Sequence, residues 1–312
     1  MHSTKWVVMT QFEPPPDWLK EWVKVIAQLA FIVFILLRAI YKGSRSLVYA
    51  MTVQGAIVDL DGTVYRGGEL IDGAAGGINA LRAAGADVLF FSNNPLKNGA
   101  AYLDHLDNLG LEVDEMQACS SGDVTTEHLA ANHAADDILL IGDDGLRDQF
   151  REAGLTLTSD PDRCDAVVAS WTDSFSYDDM QAALDAVDGD TAFLGSDPDR
   201  TVPTGDGALM PGSGAIVGAI AAAVGCDPDA ILGKPSEAAL SAALDRLGAE
   251  PGECLVVGDR LDTDLAMGAG TEMTTVLVLS GVTDREAVAD SDTDPDFVIE
   301  RLGEIVTVLA EL

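Results

Sequence analysis

The residues best suited to chemistry in this chain are two aspartates, Asp59 and Asp61, set in the stretch 55–66, GAIVDLDGTVYR. They straddle Leu60, so in extended backbone both carboxylates point the same way while Leu60 turns back toward the core. Paired carboxylates on one edge suit a hard divalent cation with oxygen ligands, or a pair sharing the duties of nucleophile and acid/base. Spacing alone is weak support in so acidic a chain, because Asp160/Asp162, Asp197/Asp199 and Asp227/Asp229 repeat it. Those three pairs lack the apolar run before and the Gly-Thr after, and they sit beside proline, as turn residues do.

Three further stations carry polar groups at strand ends. The run 87–92 reads as a buried strand closing in Ser92-Asn93-Asn94-Pro95. A serine there is ordinarily a turn residue, yet its hydroxyl and the neighbouring backbone N–H groups can also hold phosphate oxygens. Lys234, one of six lysines, stands in Gly233-Lys234-Pro235-Ser236 where a strand gives way to a helix that Ser236 can cap. The bland alternative is a solvated surface charge. The run 254–264, CLVVGDRLDTD, brings Asp259 and Asp264 to the turn after a strand, where they can converge on one cation. Asp262 reads instead as a partner for a helix N-terminal dipole. Ile141-Gly142-Asp143-Asp144 also ends a strand in carboxylates, but no lysine positioned at a strand-to-helix turn precedes it.

The elements that must position these groups alternate. Ile78, Leu81 and their neighbouring alanines form a helical pattern stopped at Gly85, and 100–109 forms another stopped at Gly110. Strands at 274–279 and 297–299 and a helix at 302–312 close the chain. Such alternation is the mark of a parallel sheet covered on both faces, with ligands bound beyond the carboxyl ends of the strands. A second alternating set, with strands at 138–141, 166–169 and 192–194 and helices near 146–153 and 179–187, interrupts the first. The expected fold is therefore α/β, a doubly wound, Rossmann-like parallel-sheet core of residues 51–122 and 208–312 with an inserted α/β domain at 123–207.

Composition narrows the function. With 47% hydrophobic residues the chain has material for a substantial core, and its formal charge of −34 excludes nucleic acid as an evident partner. Self-repulsion of that size is tolerated where salt screens it, which points to the cytoplasm of an extreme halophile. Four widely spaced cysteines with no C-x-x-C argue against a zinc site or a disulfide framework and suit a reducing compartment. The first 50 residues differ in kind: six Lys+Arg and three Asp+Glu give +3, leaving 12 − 49 = −37 for the remainder. Their apolar run at 25–37 is thirteen residues, short of the ~20 of a spanning helix. We expect residues 1–50 to be an extension outside the core, with a membrane role only if that segment is retained.

Taken in order, DLDGT, the serine ending the second strand, GKP and GDRLDTD resemble motifs one to four of the haloacid dehalogenase superfamily. The SNNP, SFSYDDM, SDPDRTVP and PGSGAIV stretches are similar to those of its class IIA phosphatases, which include 4-nitrophenylphosphatase, phosphoglycolate phosphatase and nucleotide monophosphatase types. The resemblance covers about 55–282, with Ser92 in place of a frequent threonine and Asp197-Pro198-Asp199 in place of a frequent Asn-Pro-Asp. It implies that the inserted domain is a cap, and that a small phosphate monoester is hydrolysed through an aspartyl phosphate. It implies Asp59 as nucleophile and Asp61 as acid/base. Phosphate would be held by Ser92, Asn93 and Lys234. Mg2+ would be held by Asp59, the Asp61 carbonyl, Asp259 and Asp264. It also implies a homodimer through the cap. The alternatives are a phosphomutase, whose cap is usually smaller and helical, and a non-catalytic ligand-binding member.

Overall fold

The computed structural model describes residues 53–114, 116–204 and 208–312. The expected extension 1–50, its apolar run and Met51 lie outside the described residues. Among those described, no helix is long and apolar enough to cross a membrane.

A six-stranded sheet, parallel throughout, runs in the spatial order Phe297–Ile299, Thr274–Val278, Cys254–Gly258, Gly55–Val58, Asp87–Ser92, Gln117–Ser120. Strand period sorts its side chains onto two faces. Ala56, Val58, Val88 and Phe90 point to one, against Ile78 and Leu81 of the helix Ala74–Ala83 and Ile305 and Val308 of the helix Ile305–Leu309. Ile57, Leu89, Phe91 and Val256 point to the other, against Ala239, Ala243 and Leu247 of the helix Glu237–Leu247. Gly55–Val58 is central: its Val58 pairs with Val257 on one side and Phe90 on the other. The connections leave in opposite directions there, so the sheet opens a crevice beyond the carboxyl ends of these three strands.

A second sheet of five parallel strands has the order Ala230–Ile231, Ala192–Gly195, Ala166–Ala169, Asp137–Ile141, Thr156–Leu157. The helices Tyr177–Ala186 and Ser213–Val224 pack on one face through Ala183, Ile216, Val217 and Ile220. An antiparallel hairpin, Thr201–Pro203 with Leu209–Pro211, projects from it. The fold is thus the expected doubly wound core with an inserted α/β layer. Sheet membership differs from the expectation at one seam. Residues from Ser213 to Ile231, placed by sequence pattern in the core, pack on and pair with the second sheet, because Ala230 and Ile231 hydrogen-bond beside Leu194 and Gly195. The edge strand Gln117–Ser120 and the helix Ser213–Val224 were also not foreseen: the strand is four residues with burial that rises along its length and no alternation, and the helix is apolar nearly all round.

Local chemistry sets the helix starts. Ser236 accepts from the Ala239 amide as expected, and Ser176 and Ser120 form reciprocal caps with Asp179 and Asp123. Asp143, the strand-end carboxylate set aside above, is such a cap, accepting from Gly145 N at 3.1 Å.

Candidate active site

Asp59 follows the central strand, and its amide continues the ladder to Val257 O at 2.9 Å, which fixes it beside Asp259. The Asp59 carboxylate receives Lys234 Nζ on Oδ1 at 2.7 Å and the Thr63 hydroxyl on Oδ2 at 3.3 Å. Lys234 is only 2% exposed, so the surface-charge reading is excluded. All three of its ammonium protons have acceptors: Asp59 Oδ1, Asp264 Oδ1 and Phe91 O, each at 2.7 Å. Burial works against its charge, but Asp264 and Asp59 outweigh that and hold its pKa above the ordinary lysine value.

Asp59, Asp259 and Asp264 each place one oxygen within 4.8 Å of the others. Burial and then the Asp264 charge push the Asp59 carboxyl well above the usual range, and the same two causes push Asp259 up to about 7. One ammonium does not balance three carboxylates, and oxygen donors crowded in this way could hold a hard divalent cation. Asp264 Oδ2 also accepts from the amides of Asp259 (3.2 Å) and Arg260 (3.1 Å), which fastens the acidic turn to itself. Asp259 Oδ2 accepts from Val282 N at 2.6 Å and lies so close to two glycines that no side chain fits. A Cβ on Gly281 would stand 1.7 Å from that oxygen, and one on Gly62, whose φ of 89° already favours glycine, 2.5 Å from it.

The Asp61 carboxylate lies outside this trio. It opens into the cleft and accepts from the Tyr65 hydroxyl at 3.1 Å, while the Tyr65 and His105 rings meet in a T-shaped contact at a centroid distance of 5.2 Å. Crowding by protein raises its pKa, against the pull of the Tyr65 hydrogen bond. Ser92 is buried at its strand end and lines the same cavity. Asn93, expected on phosphate, has its side chain engaged elsewhere. Its Oδ1 accepts from Lys234 N (2.8 Å), and its Nδ2 donates to Lys234 O (3.0 Å) and toward Asp199 Oδ1 (3.5 Å). A primary amide matched to one residue's N–H and C=O is a clamp on Lys234, with no donor left free for an oxyanion.

A cavity of about 320 Å³ joins these groups to the inserted layer. Its wall corrects the reading of Asp197 and Asp199 as turn residues: both line it, Asp197 at 2% exposure. Burial and then Asp199 push the Asp197 carboxyl up to about 7, with Ser196 Oγ donating to it at 2.9 Å. Arg260 reaches from the acidic turn to Asp199 (3.9 Å) and to Thr201 O (3.4 Å). Tyr65, Arg260 and Trp171 were not singled out by sequence. The available signal for Trp171 is that it is the sole tryptophan after residue 50, directly beyond a buried strand.

Residues 56–156 match the haloacid dehalogenase-like hydrolase family, and residues 231–305 match a HAD-hydrolase-like family. The sugar-phosphatase AraL of Bacillus subtilis is 34% identical over 257 residues, 82% of this chain and 93% of that protein. Among solved structures, the 4-nitrophenylphosphatase of Thermotoga maritima superposes with a TM-score of 0.76 at 29% identity, covering 83% of this chain and 98% of that one. The p-nitrophenyl phosphatase of Archaeoglobus fulgidus gives 0.75 at 32%, covering 82% and 98%. Acidic strand ends at the switch point of a doubly wound sheet, roofed by an inserted α/β domain, are therefore those of a haloacid dehalogenase-like hydrolase, the family to which this chain belongs. Within it the chain is a class IIA phosphatase, a phosphoric monoester hydrolase for small phosphate substrates.

Proposed function

We propose that the chain hydrolyses its phosphate monoester through a phosphorylated Asp59. The observation that carries this reading is the Lys234 ammonium bridging Asp59 and Asp264 at 2.7 Å each, which sets a nucleophile, a positive charge and an acidic trio within reach of one phosphoryl group. Asp59 attacks phosphorus, its oxygen bonding as the bond to the leaving oxygen breaks, and Asp61 gives its proton to that oxygen. The raised pKa of Asp61 favours the protonated form that this step needs. Water then attacks the phosphoryl group, Asp61 takes the water's proton, and the Asp59–phosphorus bond breaks. Ser92 holds a phosphoryl oxygen, the Lys234 ammonium offsets the phosphoryl charge from its place between Asp59 and Asp264, exchanging one of these bonds for a phosphoryl oxygen, and Asn93 keeps Lys234 in place.

The donor set fits Mg2+, held by the carboxylates of Asp59 and Asp259 and the carbonyl of Asp61, with Asp264 direct or through water. Bound there, the ion supplies the positive charge that lets an anionic carboxylate approach a phosphate. The catalytic core is assigned to residues 51–122 and the chain beyond Ile231, and the cap to the segment between, as sheet pairing supports. All four cysteines are unpaired, which suits a reducing cytoplasm.

The test is turnover of 4-nitrophenyl phosphate in high salt with Mg2+ and with chelator, for the wild type and Asp59→Asn, with mass spectrometry of acid-quenched enzyme. Ion-dependent turnover, phosphate on the peptide bearing Asp59 and an inactive folded variant are expected. Wild-type rates from Asp59→Asn would reject the mechanism.

A further inference from the structure

The cavity has two halves of different chemistry. Its floor carries the acidic trio, Asp61 and Lys234. Its roof is largely apolar, formed by Leu96 from the loop after the second core strand, Trp171 beyond the strand Ala166–Ala169, and Val202 and Met210 from the hairpin. Val202 and Met210 are direct cross-strand partners, so their side chains lie together on one face of that hairpin. The indole N–H of Trp171 donates to Pro211 O at 3.1 Å, which anchors the ring to the hairpin. With its one polar atom engaged, the ring offers only its carbons to a ligand.

Charge in the cavity is one-sided. Its basic lining residues are Lys234 and Arg260, and both face carboxylates, Lys234 closely and Arg260 at longer range. The Lys234 protons go to Asp59, Asp264 and the Phe91 carbonyl. Arg260 faces Asp199 at 3.9 Å and Asp262 at 3.5 Å and donates to Thr201 O. Two cations on neighbouring loops are engaged elsewhere: Arg66 donates to the carbonyls of Ser280 and Gly281, and Lys97 lies over the Tyr102 ring, 5.6 Å from its centroid. Asp197 and Asp199 add two carboxyls to the wall above the floor. A carboxylate or second phosphate on the leaving group would enter beside these acids, and both basic residues of the described lining are already paired with carboxylates. Rejection by like charge is a strong source of specificity.

We infer that this cavity selects phosphate monoesters whose leaving group is uncharged and offers an apolar ring to Trp171, and that it refuses those whose leaving group bears a second negative charge. The inference rests on the phosphatase reading and adds its substrate class. Two matched pairs of esters test it: phenyl phosphate against 4-carboxyphenyl phosphate, and 2-hydroxyethyl phosphate against phosphoglycolate. In each pair kcat/KM of the carboxylated ester should be lower by at least about 10-fold, within the range that like-charge contact produces. Asp199→Asn removes one negative charge and leaves Arg260 less committed, so it should narrow both gaps by several-fold or more. Trp171→Ala should lower kcat/KM for phenyl phosphate by roughly 10-fold while changing that for 2-hydroxyethyl phosphate less than about 2-fold. Carboxylated esters hydrolysed as well as their neutral partners by the wild type would overturn the charge selection, and equal losses of both neutral esters in Trp171→Ala would overturn the ring slot. Either result leaves the phosphatase reading standing, whereas failure to hydrolyse any of the four esters would remove that reading and this inference together.

Discussion

Replacing Lys234 by methionine isolates what one buried charge does for this fold and its chemistry. Methionine keeps an unbranched stem of similar reach and removes the ammonium, so packing changes little. Three carboxylates whose oxygens lie within 4.8 Å are then left without a cation. At an effective dielectric constant of ~20, ionised carboxylates at that range would repel by about 3 kcal/mol per pair, so the variant must bind protons or a metal ion to relieve them. Removing one partner of a buried ion pair typically costs ~3–5 kcal/mol, and the Phe91 carbonyl loses a donor as well. For a chain of this size 1 kcal/mol moves Tm by ~2–4 °C, so in chelator the variant should melt roughly 6–20 °C below wild type. Because an ion bound only by the native state stabilises it, Mg2+ should raise the variant's Tm more than the wild type's. Turnover of 4-nitrophenyl phosphate should fall by at least ~100-fold, the usual loss when one preorganised electrostatic partner of the transition state is deleted. Differential scanning fluorimetry in high salt, with chelator and with Mg2+, reads the first two effects. High salt does not erase them, since buried pairs are screened far less than exposed ones. A variant that melts within about 2 °C of wild type in chelator would refute the reasoning.

Three other outcomes are expected. Asp197 is raised by burial from an ordinary 3.8 to about 7. A raised carboxyl gives stability that is full below the unfolded value and lost as pH rises through the folded one. Asp197→Asn should therefore flatten the fall in denaturation midpoint between about pH 4 and 7, and superimposable pH profiles would count against this. Gly281→Ala would set a methyl 1.7 Å from Asp259 Oδ2, so it should displace that carboxylate and weaken Mg2+ binding by calorimetry; unchanged affinity would show that the loop yields freely. Tyr65→Phe removes the hydrogen bond that steadies Asp61, and kcat should fall ~3- to 10-fold for an alkyl phosphate whose leaving oxygen needs a proton. Turnover of 4-nitrophenyl phosphate, with its good leaving group, should hardly change, and equal losses on both substrates would assign Tyr65 a purely structural role.

Much of the site was legible because its groups stand at the ends of short buried strands, where local pattern is strong. Val58 and Val257 are adjacent in register, so Asp59 and Asp259, each just after a strand, had to meet once both runs entered one parallel sheet. Asp197 and Asp199 were misread for the complementary reason. Asp-Pro-Asp looks like a turn whether water or protein lies above it, and burial at 2% comes from packing against distant elements. Asn93 was assigned by its neighbours in the motif, but its partner is the main chain of Lys234, 141 residues away.

The sequence by itself determined the chemical inventory and its order. Apolar runs of strand period ending in Asp59, Ser92 and Asp259, with a lysine at a strand-to-helix turn, specify a doubly wound sheet whose acidic ends share a crevice. Tertiary structure alone decided how those groups divide the work and what surrounds them. It made Lys234 a buried bridge, clamped by Asn93. It drew the segment through Ile231 into the second sheet, and it set Trp171 and the hairpin on the wall of the cavity that holds Asp59. Strand and helix periods are local and can be read residue by residue, whereas burial, the pairing of charges and the walls of a cavity are made by contacts between segments a hundred residues apart.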